Sequence, residues 1–278
     1  MDLNSIMYYK LVAFDIDGTI RSMHDPVSDK NTSVINRLID SGIIVTIATG
    51  RMFLSASMAL KGLNIIHPII SYQGAHIADM YTGRVFWHMP LTQELAEHTL
   101  DLLTDWDVQP VFYHDGQIYV ENLTDWAKGY SERNSGKVNL VKDLYEITNL
   151  CPTRIVAVGA EKTIAELEHH LKSGDESTLH ITRSLPNFCE ILHPLAGKHK
   201  ALEWLANYYG VSREQTIAFG NGYNDVDMLK WAGMGIAVQN SVKEILEVSD
   251  RVSLSMEENG PAIMLEELMT GGFFGKSN

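Results

Sequence analysis

A chain of 278 residues is longer than most single folding units, so one large domain and two linked ones both fit its length. Its apolar fraction of 45% is ordinary for a globular protein, and no stretch approaches the roughly 18 consecutive apolar residues that a membrane-spanning helix needs. A net charge of −13, with neither a basic cluster nor a basic amphipathic helix, argues against nucleic acid and anionic membranes as partners; a phosphorylated small molecule stays admissible, because a pocket needs only local positive charge.

Residues 1–10 lack a basic flank, an apolar run and a small-residue cleavage site, so a cytoplasmic location is the default expectation. Residues 10–16 (KLVAFDI) and 43–49 (IIVTIAT) are short apolar, partly β-branched runs that stop at Asp or Gly, the pattern of parallel strands buried on both faces. Between them Val34, Ile35, Leu38 and Ile39 recur at helical spacing and Gly42 supplies a stop, which makes a βαβ unit. A helix at 53–60 and a strand at 68–72 continue the alternation.

The pattern then changes. Thr82-Gly83 separates runs at 77–80 and 85–88, and Asp115-Gly116 separates 111–114 from 117–120, both signals of antiparallel hairpins. Helices at 93–106 and 163–172 and strands at 154–158, 179–183 and 188–192 complete a mixed segment. The chain's two cysteines, Cys151 and Cys189, have no spacing for a disulfide framework or a zinc site and read as packing residues. After this segment the alternation returns: helix 198–209 ended by Gly210, strand 216–219, helix 224–232, strand 235–238, helix 241–248 opened by a Ser241/Glu244 capping box, strand 251–254, and a closing helix from Pro261 to Met269. The fold class predicted is α/β: a Rossmann-like parallel-sheet core from residues 1–82 and 191–278, with an α+β cap inserted at 83–190.

Ligands of open parallel sheets bind beyond the carboxyl ends of the strands. At those positions stand Asp15-Ile16-Asp17-Gly18-Thr19, Thr49-Gly50-Arg51 and Gly220-Asn221-Gly222-Tyr223-Asn224-Asp225, with Lys198 opening a helix. Two carboxylates two residues apart, leaving a strand, can divide labour: one attacks phosphorus, the other protonates the leaving oxygen and later activates water. A hydroxyl at a helix start suits an anion, and an oxygen-rich loop beside Asp15 suits Mg²⁺. Each signal alone is an ordinary turn, cap or surface residue; four of them at strand ends of one sheet point to a single reaction centre.

FDIDGTI (residues 14–20), ATGR (48–51), Lys198 within GKHKAL, and GNGYNDVDML (220–229) together resemble, in order, the four signatures of the haloacid dehalogenase-like hydrolases, specifically Cof-type phosphatases with a C2-type α+β cap; ISYQGAHI (70–77) is similar to the stretch that ends the first core half there. The resemblance covers about residues 8–269. It implies Asp15 as nucleophile and Asp17 as general acid and base, phosphate held by Thr49, Gly50, Lys198 and Asn224, and Mg²⁺ held by Asp15, Asp17 (through its carbonyl), Asn221 and Asp225, with Asp225 orienting the metal shell or the lysine. Arg51, Gln73 and Glu190 are candidates for substrate contact. Two positions depart from the pattern: Asn221 stands where the family usually has Asp, which removes one negative charge from the metal site, and Gln73 stands where Asn is frequent. The implied activity is Mg²⁺-dependent hydrolysis of a sugar phosphate or phosphorylated cofactor through a phospho-aspartyl intermediate. A sugar phosphomutase using the same intermediate and a non-catalytic phospho-ligand sensor remain open beside it, and the sequence leaves the oligomeric state open.

Overall fold

The computed structural model describes residues 8–23, 25–134, 137–174 and 178–274, with the backbone alone for 131–134. Most of the N-terminal stretch read for a signal lies outside them. In chain order the first part comprises β1 (Leu11–Phe14), α1 (Asp29–Asp40), β2 (Ile44–Ile47), α2 (Phe53–Ala59), β3 (Ile69–Ser71), β4 (His76–Ala78) and β5 (Val85–His88). The middle comprises α3 (Gln93–Leu103), β6 (Val108–His114), β7 (Gln117–Val120), α4 (Asp125–Asn134), β8 (Val138–Leu140), β9 (Arg154–Gly159), α5 (Glu161–Lys172), β10 (His180–Leu185) and β11 (Phe188–Leu192). The last part comprises α6 (Lys198–Tyr208), β12 (Thr216–Gly220), α7 (Val226–Trp231), β13 (Met234–Val238), α8 (Lys243–Val248), β14 (Arg251–Ser253) and α9 (Gly260–Thr270).

Residues far apart in sequence build one parallel sheet, β14-β13-β12-β1-β2, with Val12 opposite both Val45 and Ile217. Because side chains alternate along a strand, β1 sends Val12 and Phe14 to one face and Leu11 and Ala13 to the other. The first face packs under α1 and α9 through Val34, Ile35, Leu38, Leu265 and Leu268, with Phe14 and Phe219 stacked at 4.8 Å. The second packs against α6, α7 and α8 through Leu202, Leu205, Leu229 and Ile245. Two apolar coats explain why these strands read as unbroken hydrophobic runs.

A six-stranded sheet, β10-β11-β9-β6-β7-β8, antiparallel except for β7 with β8, forms the second body. One face is covered by α3 and α5; the other carries Val111, Tyr113, Val156 and Leu192 and packs on Met52 and Tyr72 of the first body. Strand β5, expected in the insertion, instead pairs with β4, and its Phe86 and Trp87 pack against Tyr208 and Trp204 of α6. That pairing moves the start of the insertion we propose from residue 83 to about residue 89. Other differences are local. Helix α1 begins earlier than its apolar spacing implied, because Ser28 Oγ accepts from Asn31 N–H at 3.1 Å, and the polar Asn31 is buried with its amide donating to the Ile20 carbonyl. The Ser241/Glu244 box does not form: Ser241 donates its hydroxyl to the Val238 carbonyl, and α8 starts only after Val242. Helix α4 and strand β8 were missed, since DWAKGYSERN has no apolar stripe and an internal Gly.

Each passage between the two bodies holds a histidine pair. The His76 and His88 rings lie 5.5 Å apart, with Ser71 Oγ 3.0 Å from His76 Nδ1 and Thr153 Oγ1 3.0 Å from His88 Nε2; His180 and His199 lie 6.3 Å apart. Burial, then the neighbouring histidine, lowers His76 to about 4; burial, with His199 and Lys200, lowers His180 to about 4. Both are neutral when folded, while the unfolded chain takes up their protons below about 6.5, so their stabilisation is complete above that pH and is lost as pH falls toward 4. At pH 5 each is expected to cost about 1 to 2 kcal/mol relative to pH 7. Thermal unfolding between pH 7.5 and 4.5 checks this: His76→Gln and His180→Gln should each flatten the acid slope, and slopes identical to wild type would count against it.

Candidate active site

Asp15 follows β1, its N–H donating to the Phe219 carbonyl at 2.9 Å, so that its carboxylate emerges at the carboxyl edge of the sheet. Lys198, the first residue of α6, reaches it across the fold: Nζ lies 2.7 Å from Asp15 Oδ1 and 2.6 Å from Asp225 Oδ1. The lysine side chain is 1% exposed. Burial by itself would lower its ammonium, but the two carboxylates outweigh that and hold it above its ordinary value. Asp15 moves the same way for the opposite reason. Burial pushes its carboxyl up to about 7, against the pull of Lys198 and with a push from Asp225.

The fourth signature loop closes on the first. Asp225 Oδ2 accepts from the N–H groups of Asn221 and Gly222, both at 3.0 Å. With Oδ1 taken by Lys198, both Asp225 oxygens are engaged by protein donors, so Asp225 holds the loop and the lysine in place. Thr19 Oγ1 lies 3.1 Å from Asn221 Oδ1 and 3.4 Å from Asp15 Oδ2. Gly18, at φ +83°, is where the loops touch: a Cβ there would stand 2.2 Å from Asn221 Nδ2.

Asp17 points elsewhere, held bidentately by Arg51 at 2.5 and 2.7 Å. Arg51 is thereby occupied by the second carboxylate in this state. Thr49 is buried, its Oγ1 accepting from Arg51 N–H at 3.2 Å. Gln73 joins the two bodies, accepting from Asn224 Nδ2 at 3.0 Å and donating to Glu190 Oε1 at 2.7 Å. Glu190 also receives Ser184 Oγ and Arg154 Nη1, and Arg154 Nη1 donates to the Gly50 carbonyl at 2.7 Å. Arg183, also from β10, lies over the Tyr223 ring at 4.5 Å. Gathered in one region are thus Asp15, Asp17, Thr49, Gly50, Arg51, Gln73, Glu190, Lys198, Asn221, Asn224 and Asp225. Sequence reasoning missed Thr19 and Arg154; Thr19 lies inside a quoted motif, whereas Arg154 depends on strand register.

The donor set fits a hard divalent cation. No cluster of three or more His, Cys, Asp or Glu able to hold a metal occurs among the described residues. What converges is the Asp15 carboxylate, whose Oδ2 has only a long hydroxyl contact, and the Asn221 amide oxygen. A Mg²⁺ site needs no more protein charge than one or two carboxylates when substrate phosphate and water complete it. The burial that raises Asp15 also means that a cation there would favour its ionised form.

A family profile describing haloacid dehalogenase-like hydrolases matches residues 12–265. The chain belongs to the haloacid dehalogenase-like hydrolase family. It is an enzyme of the hydrolase class, and its fold is shared with solved family members. A haloacid dehalogenase-like hydrolase from B. subtilis superposes with a TM-score of 0.82 at 25% identity, over 93% of this chain and 99% of that one. One from Bacteroides thetaiotaomicron does so at 0.78 and 25%, over 94% and 99%. In sequence, 5-amino-6-(5-phospho-D-ribitylamino)uracil phosphatase YitU of Bacillus subtilis is 29% identical over 273 residues, 92% of this chain and 96% of that protein. An HMP-PP phosphatase of Enterobacter sp. is 28% identical, over 85% of this chain and 86% of that one. No described helix is long and apolar enough to cross a membrane.

Proposed function

We propose that this hydrolase is a Mg²⁺-dependent phosphatase of a small phosphorylated metabolite, a sugar phosphate or phosphorylated cofactor, working through a phosphorylated Asp15. The observation that carries the reading is the Asp15 carboxylate, with one oxygen anchored 2.7 Å from the Lys198 ammonium and the other left toward Thr19 and Asn221. That is the posture of a nucleophile whose orientation is set and whose attacking atom is available. Relatives named for phosphate removal from an aminouracil ribityl phosphate and from HMP-PP support the reaction class and favour a small polar metabolite as substrate.

In the reaction, Asp15 Oδ2 forms a bond to phosphorus as the bond to the leaving oxygen breaks, and Asp17 gives its proton to that oxygen. The resulting acyl phosphate is hydrolysed when Asp17, now a carboxylate, takes a proton from water as that water attacks phosphorus and Asp15 departs. Thr49, Gly50, Lys198 and Asn224 bind phosphoryl oxygens. Arg51 has to loosen its grip for Asp17 to reach the leaving oxygen. Bound Mg²⁺, held by Asp15, the Asp17 carbonyl and Asn221, would offset charge between carboxylate and phosphate.

A panel of phosphorylated metabolites, assayed for free phosphate with and without Mg²⁺, tests the reading. Isomerised sugar phosphate without phosphate release would overturn hydrolysis, and no turnover of any compound would leave a sensor. One further result is expected from the departure at Asn221. A carboxylate there adds charge to the cation site, so Asn221→Asp should lower the half-saturating Mg²⁺ concentration roughly tenfold. A metal titration of activity that superposes on wild type would contradict that.

A further inference from the structure

The roof of the site carries a buried charge pair that the chemistry above does not use. Along β9 and β11 side chains alternate, so Ile155, Ala157, Cys189 and Ile191 enter the layer under α3 and α5, while Arg154, Val156, Glu190 and Leu192 face the catalytic body. Arg154 and Glu190 are 6% and 2% exposed, so the guanidinium is withdrawn from water at a cost its contacts must offset. Glu190 and the Tyr113 ring, 4.2 Å from the guanidinium carbon, hold it in place. Two further contacts cross to the other body, one to the Tyr72 ring at 5.5 Å and one to the Gly50 carbonyl.

That carbonyl belongs to the turn meant to cradle phosphate. The residues on either side of it are pinned from their own body, Thr49 by Gln73 N–H to its carbonyl at 3.1 Å and Arg51 by Tyr72 N–H to its carbonyl at 2.9 Å. The peptide between them takes its hydrogen bond from Arg154. There is little slack around it, for a Cβ on Gly50 would stand 2.4 Å from Gln73 Nε2. The segment that presents Gln73 is itself strained, with Tyr72, Gln73 and Gly74 at φ 50°, 55° and 94°, a run that persists only where surroundings over-determine it. Beyond Gly50 the same turn carries Arg51, bidentate on Asp17.

We propose that Arg154 is a positioning residue for phosphoryl transfer: by holding the Gly50 carbonyl it makes the geometry of the phosphate-binding turn, and of the Arg51–Asp17 pair behind it, depend on the cap being docked. This rests on the phosphatase reading. A substrate whose leaving group is too small to touch the roof should therefore still feel the residue.

The test uses the full-length enzyme with acetyl phosphate as substrate and orthovanadate as a phosphate-like inhibitor. Arg154→Met is expected to lower kcat on acetyl phosphate by about ten- to a hundredfold and to weaken vanadate inhibition on the order of tenfold. Arg154→Lys should recover part of both, since it can still donate to the carbonyl. The double variant Arg154→Met/Glu190→Gln, which leaves no unpaired carboxylate in the roof, reads the same effect should the single variant fold poorly. Wild-type kcat and vanadate inhibition in folded Arg154→Met, with any change confined to KM for larger substrates, would overturn the inference and make Arg154 a substrate contact. Equal losses in the Met and Lys variants that follow their loss of thermal stability would reduce it to packing. Wild-type enzyme that hydrolyses nothing would overturn the phosphatase reading, and this inference with it.

Discussion

Asp15→Asn is expected to lower kcat by at least about 10⁴-fold while leaving the fold intact, because it removes the nucleophile and little else. The carboxamide has the same shape, and its oxygen can still accept from Lys198, so the lysine stays bridged between positions 15 and 225. Burial has already pushed the Asp15 carboxyl up to about 7, so a neutral group at this place is not foreign to the folded state. Thermal unfolding should therefore differ little from wild type. No neighbouring carboxylate can take over. Asp225 has both oxygens bonded to Lys198 and to the Asn221 and Gly222 amides, and Asp17, once Arg51 loosens its grip, serves the leaving oxygen. Steady-state phosphate release and acid-quench trapping of labelled phosphoenzyme check this together. Residual activity near a hundredth of wild type, or label retained in the variant, would send the nucleophile elsewhere.

How far the site could be read from the chain depends on which interactions are local. Runs such as residues 10–16 and 43–49 announce strands because each is buried on both faces, and the residues just past a strand end are carried to the ligand edge by topology alone. Asp15, Thr49 and Asn221 were legible for that reason, and Lys198 by its place at a helix start. Arg154 was not: it faces the site through the pairing register of an antiparallel sheet, and shifting β9 by one residue would turn it to the opposite face. The role of Asp225 was half legible. The resemblance left it to orient the metal shell or the lysine, and the donors around its two oxygens are the lysine and the loop amides. Likewise Thr82-Gly83 marks a hairpin without saying that β5 would return to pair with β4.

Lys198→Met should combine a large loss of stability with a large loss of rate. The exchange keeps an unbranched apolar stem but removes the one cation found between two carboxylates whose side chains are 8% and 1% exposed. Removing one member of a buried ion pair leaves uncompensated charge and costs about 3 to 5 kcal/mol. The cost should shrink as pH falls, because protonating Asp15 relieves the repulsion that the lysine had cancelled. Rate suffers separately. The ammonium is the strongest influence drawing the Asp15 carboxyl downward against burial, so without it the carboxyl rises. Since the ionised form is the nucleophile, the pH at which activity reaches half its maximum should move upward. Loss of a charged donor to the phosphoryl oxygens lowers kcat by a further factor of about 10² to 10³. Urea unfolding at pH 8 and pH 6, alongside a pH–rate profile, separates the two consequences. A variant as stable as wild type at pH 8, with an unmoved acid limb, would mean that Lys198 neither balances these carboxylates nor tunes the nucleophile.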